Sequence, residues 1–512
     1  MLNINMLNIF RRRILTALFS LIITISHAYS QPRTTINISL NKTYQTIDNI
    51  GASDAWSTQF VGQWPDEKKN AIADLLFSRD TLSNGTPKGI GLSLWRFNLG
   101  AGSTQQGNES GIKDEWRRAE SFLNENGQFD WSRQAGQLWF LKAAKQRGVP
   151  QFLCFTNSPP VQFTVNGKAF ASKGNTNLSP QKYSAFADYL ATVISKIERT
   201  NKVRFNYVSP VNEPQWDWSD GGQEGCPFNN AEIAGLVGAI NQTFDQYKIT
   251  TKIIVPEAGS IEYLYSAGNK PGKGNQINDF FKPGSTDYIG NLSHVAKVIA
   301  AHSYFTTSPA LKAQKMRQEL SDTVKGIKGL KYWMSEYCIL GDNDGEINGN
   351  KRDLGIDAAL YMARVIHTDL TAANAAAWQW WTAISPVDYK DGLIYIDKNK
   401  TDGKYYTSKM LWVLGNYSRF VRPGAIRVDA EADQSGPLLI SAYKQGKSFT
   451  AVIINPDNEA HPVHFNITGG NVWLLKSYTT SANKELIPIA LNNPHRLLIE
   501  GRSVTTVTGI IN

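Results

Sequence analysis

The chain has 512 residues, 41% of them apolar and 19% charged, with 14 Trp, 20 Tyr and 22 Phe. This composition excludes an intrinsically disordered protein, and the length exceeds one small core, so either two or three domains or one large barrel with a smaller companion is expected. The net charge of +9 is mild for this length and includes no dense basic block after the first residues, which excludes nucleic acid as the expected partner.

Residues 1–30 read as a signal peptide. Arg11, Arg12 and Arg13 precede the apolar run "ILTALFSLIITIS", which is short for a bilayer span, and the small-residue exit "AYS" follows. Removing these three arginines leaves 50 − 44 = +6. Export to the periplasm, the cell surface or the medium is the expectation, and no later run is long enough to span a membrane. Cys154, Cys226 and Cys338 lack metal-ligand spacing and imply no disulfide framework, so buried free thiols are expected.

Residues 31–46 contain the alternating run "TTINISLNKTYQTI", with no helix behind it. It reads as strand belonging to a sheet completed elsewhere in the chain. From 47 to 420, short β-type runs alternate with longer segments of helical period. The strand candidates are "TIDNIGAS", "IGLSLWRFNL", "PQFLCFTNS", "RFNYVSPVNE", "KIIVPEAG", "KVIAAHSY", "KYWMSEY" and "AAAWQWW". Eight such βα units predict an α/β fold, a closed (β/α)8 TIM barrel whose chemistry lies at the C-terminal strand ends. Residues 421–512 change to short alternating runs separated by turn residues, which predicts an appended antiparallel β-sandwich domain.

At the predicted strand ends stand Asp54, Arg96, Asn157, Asn212, Glu213, Glu257, His302, Tyr304, Glu336, Trp378, Trp380 and Trp381. A lone Glu in a strand is ordinarily an ion-pair partner, and a lone Trp is ordinarily core. Two carboxylates facing one mouth are different, because an unpaired buried carboxylate costs several kcal/mol. Glycosidic cleavage uses two: one protonates the departing oxygen and the other attacks the anomeric carbon or activates water. Trp56, Trp95, Trp216, Trp218, Trp378, Trp380 and Trp381 would supply flat faces for sugar rings.

The motifs "IDNIGASDAW", "LWRFNLGAGS", "TNSPP", "SPVNEPQWDW", "HSYF", "WMSEYC", "WQWW" and "SKMLWVLGNYSRFVRPGAIRV" together resemble glycoside hydrolase family 30. The resemblance implies a retaining mechanism with Glu213 as acid/base and Glu336 as nucleophile. It implies that Asn212 meets the sugar 2-hydroxyl and that Arg96 and Tyr304 orient Glu336. It also implies that Asp54 and Trp56 hold distal hydroxyls and that Trp378 or Trp380 floors the first subsite. Trp216, Asn157 and His302 complete the expected substrate-binding set, with Glu257 and His302 as suited to a supporting role as to direct contact.

Within the family, "GIGLSLWRFNLGAGS" and "TNSPPVQFTVNGKAF" most resemble endo-β-1,6-galactanase members. β-1,6-Glucanase, xylanase and exo-acting β-fucosidase, β-galactosidase or β-glucosidase remain alternatives, as does a non-catalytic glycan-binding protein. The expected partner is a β-linked oligosaccharide or polysaccharide, with no metal, no cofactor and a monomeric chain.

Overall fold

The computed structural model describes residues 34–433, 436–491 and 496–512. The expected signal peptide, residues 1–30, lies outside the described residues. The first strand is β1 (Thr34–Thr46), and the barrel follows as β2 (Asn49–Ser53), β3 (Leu94–Asn98), β4 (Gln151–Phe155) and β5 (Tyr207–Ser209). It continues through β6 (Lys252–Ala258), β7 (Val295–His302), β8 (Lys331–Tyr337) and β9 (Ala377–Trp380). Each strand pairs in parallel with the next, and β9 returns to β2 through Asn49–Ala377 and its neighbours, closing the ring of eight.

Seven of the eight strands fall within the predicted runs, and β7 begins two residues ahead of its run "KVIAAHSY". They are nearly continuous in buried residues, as parallel strands covered by helices on the outside must be. The covering helices bury one face each. In Tyr183–Asn201 the positions Phe186, Tyr189, Leu190, Val193, Ile194 and Ile197 point inward at helical spacing. Asn229 begins the helix Asn230–Tyr247 with a reciprocal capping box, accepting from the Glu232 N–H while the Glu232 side chain accepts from its own. The helix Asp66–Phe77 starts instead after Pro65, with no side-chain cap.

Beyond the barrel, a small sheet of β10 (Ile384–Ser385), β11 (Ile394–Ile396) and β12 (Tyr405–Thr407) lies over the mouth side of the last strand. The second domain contains β13 (Ile426–Ala432), β14 (Leu439–Gln445), β15 (Ser448–Asn455), β16 (His461–Thr468) and β17 (Val472–Ser481). β18 (Lys484–Ala490), β19 (Leu497–Ile499) and β20 (Ser503–Ile511) complete it.

These strands form one ladder with β1 inserted between β13 and β16, in the order β18-β17-β20-β15-β14-β13-β1-β16-β19. Every pair is antiparallel except β1 with β16. Val472 and Leu474 of β17 share one buried cluster with Val463 and Phe465 of β16, although five strands separate them in the ladder. The sheet therefore curls until its two ends face each other, which is the sandwich arrangement. The helix Lys409–Ser418 joins the two domains: Asn416 donates to Tyr478 O and Thr506 Oγ1, each at 3.0 Å.

Cys154, Cys226 and Cys338 are free and buried. Among the described residues, no helix is long and apolar enough to cross a membrane.

Candidate active site

The barrel brings Arg96 from β3, Glu257 from β6, His302 from the end of β7 and Glu336 from β8 to one point. Glu213 arrives from the loop beyond the three-residue β5. Glu213 and Glu257 both adopt left-handed backbone conformations, with φ of 45° and 54°. Such values are uncommon outside glycine and persist only where surroundings fix them. Here the Glu213 N–H donates to Glu257 O at 2.8 Å, and the Trp218 indole donates to Glu213 O at 3.1 Å.

The side chains form a closed network. His302 Nδ1 lies 2.9 Å from Glu213 Oε1 and 3.4 Å from Glu336 Oε1, while its Nε2 lies 3.3 Å from Glu257 Oε2. Arg96 ion-pairs with Glu336 through Nη1 and donates through Nη2 to Asn212 Oδ1 at 3.1 Å and Glu257 Oε2 at 3.5 Å. Tyr304 donates to Glu336 Oε1 at 3.1 Å. Ser209 donates to Glu257 Oε1 at 2.6 Å, and Ser335 donates to Glu257 Oε2. Oxygens of Glu213 and Glu336 and a nitrogen of His302 all lie within 4.8 Å of one another.

Burial and charge set the protonation states. Burial raises Glu213 above the ordinary carboxylate range; the His302 hydrogen bond and charge pull it partly back, and the Glu336 charge adds to the rise. Burial alone would lower His302, but Glu336, Glu213 and Glu257 push it up to about 10. Burial alone would raise Glu257, yet Arg96, His302 and Ser209 hold it down at about 2. Burial opposes the Arg96 charge and is outweighed by Glu336 and Glu257. Burial also keeps the Tyr304 phenol protonated and able to donate.

With Glu213 protonated, the two cations Arg96 and His302 balance the two anions Glu257 and Glu336. A net-neutral cluster is the affordable state in low dielectric. An imidazolium has no lone pair to give a cation, so the Glu213, His302 and Glu336 grouping suits proton chemistry better than metal binding.

A cavity of about 560 Å³ opens over this network. Asn212, Glu213, Trp216, Tyr304, Glu336 and Trp381 line it, together with Arg117, Trp218, Gln223, Phe305, Cys338, Leu340, Tyr389 and Asp391. Several expected binding residues lie elsewhere. Trp378 and Trp380 have no exposed surface; they stack on each other at 6.1 Å, and their indoles donate to Asp369 Oδ2 and Asp391 O. The expectation that one of them floors the sugar site is corrected: strand alternation turns both into packing, and Trp381, the next residue, faces the cavity.

Asp54 is 1% exposed, and its Oδ1 accepts the Asn98 N–H at 2.7 Å. It braces the β2–β3 junction rather than lining the cavity. Trp56 stands edge-on to Trp381 at 5.0 Å and supports that ring from behind. Asn157 is buried with both amide atoms lacking a hydrogen-bond partner. Trp95 is core, packed edge-on against Phe77. The sequence reading missed Arg117, at the end of the short 3-10 helix Glu115–Arg117, and Gln223, Tyr389 and Asp391 in loops, because none of these segments carries a periodicity. Phe305 stood in the quoted motif "HSYF" without being singled out.

The sequence model of O-glycosyl hydrolase family 30 matches residues 33–395. An endo-β-1,6-galactanase of Hypocrea rufa is 23% identical over 485 residues, covering 92% of this chain and 89% of that protein. The glucuronoxylanase XynC of Bacillus subtilis (strain 168) is 25% identical over 358 residues, covering 68% of this chain and 70% of its own. The crystal structure of a conserved exported protein from Bacteroides fragilis superposes with a TM-score of 0.86 at 34% identity, covering 93% of this chain and 100% of that one. With the family match spanning most of the chain and a carboxylate pair at the barrel mouth, this protein belongs to O-glycosyl hydrolase family 30 and is a glycoside hydrolase.

Proposed function

We propose that the protein is an exported, retaining endo-β-1,6-galactanase acting on galactan or arabinogalactan side chains. The observation that carries the retaining mechanism is the carboxyl spacing. One oxygen of Glu213 and one of Glu336 lie within 4.8 Å of each other, which supports the close pairing, about 5–5.5 Å between carboxyl groups, used for direct attack over the roughly 6.5–9.5 Å that admits a water in inverting enzymes.

Glu213, protonated by virtue of its burial, gives its proton to the departing glycosidic oxygen. Glu336, ion-paired to Arg96 and hydrogen-bonded by Tyr304, attacks the anomeric carbon and forms the glycosyl ester. Glu213, now ionised, takes a proton from the water that hydrolyses that ester and is ready for the next cycle. His302 touches both carboxyls, so the proton leaving Glu213 and the charge lost from Glu336 are felt by one imidazolium.

Galactan is favoured over xylan by the extent of similarity. The galactanase relative aligns across the barrel and the sheet domain, whereas the glucuronoxylanase relative aligns over 68% of the chain. Export is supported by the N-terminal apolar run and by the similar Bacteroides fragilis protein, which is described as exported.

The test is purified protein on linear β-1,6-galactan, with proton NMR of the first products. Oligosaccharides of mixed length with the β-anomer appearing first support the reading. Monosaccharide alone identifies an exo-enzyme, the α-anomer first overturns retention, and turnover only of xylan or glucan overturns the specificity.

A further inference from the structure

The proposed reaction uses the carboxylates on the barrel axis and leaves a second charged pair in the same cavity without a role. Arg117 and Asp391 both line it, Arg117 from the end of the short 3-10 helix Glu115–Arg117 and Asp391 from a turn. Arg117 lies over the Trp56 indole at 5.5 Å, and Trp56 is edge-on to Trp381 at 5.0 Å. The guanidinium is therefore held on the Trp381 side of the cavity. Among the described residues its one side-chain hydrogen bond goes to Gln223 Oε1 at a long 3.4 Å.

Asp391 is fixed from below. Its carbonyl accepts the Trp380 indole at 2.7 Å and the Thr382 N–H at 2.6 Å. One carboxylate oxygen, Oδ1, is buried and has no hydrogen-bond partner. The Arg117 charge reaches Asp391, yet among the described residues the two form no ion pair. Cys338 lines the same cavity, and its thiol feels Asp391, Glu336 and Glu213, so Asp391 lies within reach of the carboxyl pair.

We propose that Arg117 and Asp391 form a donor–acceptor clamp for the O3 and O4 hydroxyls of the neutral sugar whose anomeric carbon meets Glu336. This rests on the β-1,6-galactanase reading. In a 1,6-linked chain, C1 and C6 carry the linkages and the 2-hydroxyl is assigned to Asn212, so O3 and O4 are the hydroxyls left to recognise. A hydroxyl both accepts and donates. It can therefore accept from a guanidinium and donate to a carboxylate that are too far apart to pair directly.

The same arrangement disfavours a uronate in this position. Once Asp391 is ionised, Arg96, Arg117 and His302 are matched by Glu257, Glu336 and Asp391, so the cavity has no surplus positive charge to offset a desolvated carboxylate. Burial raises Asp391 to about 7, opposed by a hydrogen bond from Ser385 and then by the Arg117 charge. Deprotonation to a full acceptor thus comes near neutral pH.

The experiment compares the wild-type enzyme on a β-1,6-galacto-oligosaccharide, its 3-deoxy and 4-deoxy glycon analogues, and an analogue whose glycon is a uronate. Asp391→Ala, Asp391→Asn, Arg117→Met and Arg117→Lys are measured alongside. Loss of a hydrogen bond to a charged group predicts that at least one deoxy analogue falls in kcat/KM by about 30-fold with wild type. Asp391→Ala and Arg117→Met should lose a similar factor on the parent and little more on that deoxy analogue. Arg117→Lys should recover part of the loss.

Both deoxy analogues turned over within about threefold of the parent by wild type would overturn the clamp, as would a uronate analogue cleaved as fast as the neutral one. Those comparisons need no variant to fold. If wild type cleaves another β-glycan but not galactan, the galactanase reading fails while the clamp is tested with deoxy analogues of that glycan. If no β-glycan is cleaved, both fail.

Discussion

His302 Nδ1 sits 2.9 Å from Glu213 Oε1, so the carboxyl proposed to protonate the leaving oxygen is held by an imidazolium rather than by solvent. That contact lowers Glu213 while burial raises it, and burial prevails. Activity should therefore fall on the alkaline side as Glu213 loses its proton. Replacing His302 with Asn removes a lowering influence, so the alkaline limb of kcat/KM should move to higher pH, with reduced maximal rate. A pH profile of the variant checks this, and an alkaline limb shifted downward would contradict it.

Glu336→Gln should lower kcat by at least about 10³-fold on every substrate, because no other carboxylate stands in its place. Glu213→Gln should behave differently. Substrates with good leaving groups need no proton in the first step, so an aryl glycoside with an acidic phenol should keep its glycosylation burst while galactan turnover drops by about 10²–10⁴-fold. Stopped-flow release of the phenol separates the two. Equal loss on both substrates would remove Glu213 from the acid role.

Glu257 predicts the acid stability. Its carboxyl is held at about 2 in the fold against an ordinary 4.5, with Arg96 and His302 the principal attractions opposing burial. A lowered pKa contributes stability that is complete above the unfolded value and is lost as pH falls from about 4.5 towards 2. Glu257→Ala leaves two buried cations short of one anion and should cost about 3–5 kcal/mol. Urea unfolding of wild type and variant at pH 7 and pH 3 should show the difference shrinking at the lower pH.

Trp378 and Trp381 should separate by phenotype. Trp381→Ala removes a ring that both lines the cavity and packs against Trp56 and Phe155, so it should raise KM and lower Tm together. Trp378→Phe strips Asp369 Oδ2 of its indole donor at 3.0 Å and should cost about 1–3 kcal/mol with KM unchanged. Thermal unfolding and Michaelis curves on the same preparations check both, and a raised KM for Trp378→Phe would return that indole to the sugar site.

The alternation of apolar runs and helical segments made the barrel legible, since a parallel strand covered on both faces must be apolar along its length. Glu213 and Glu336 were legible because each closes such a run with a polar residue before it. The orientation of the tryptophans was not. "WQWW" gives no indication of which indole clears the sheet until the strand's exit at Trp380 is fixed. Asp391 and Arg117 were illegible for another reason, because a turn and a single-turn 3-10 helix are placed by the path of neighbouring segments rather than by any repeat.

The place of β1 in the ladder governs when the molecule can be finished. Its partners lie at Ile426–Ala432 and His461–Thr468, almost the whole polypeptide later. During synthesis the barrel can close while β1 waits unzipped, so assembly of the curled sheet belongs to the last act of folding. A chain halted before its final hundred or so residues would leave that first strand's edges open to any other strand it met.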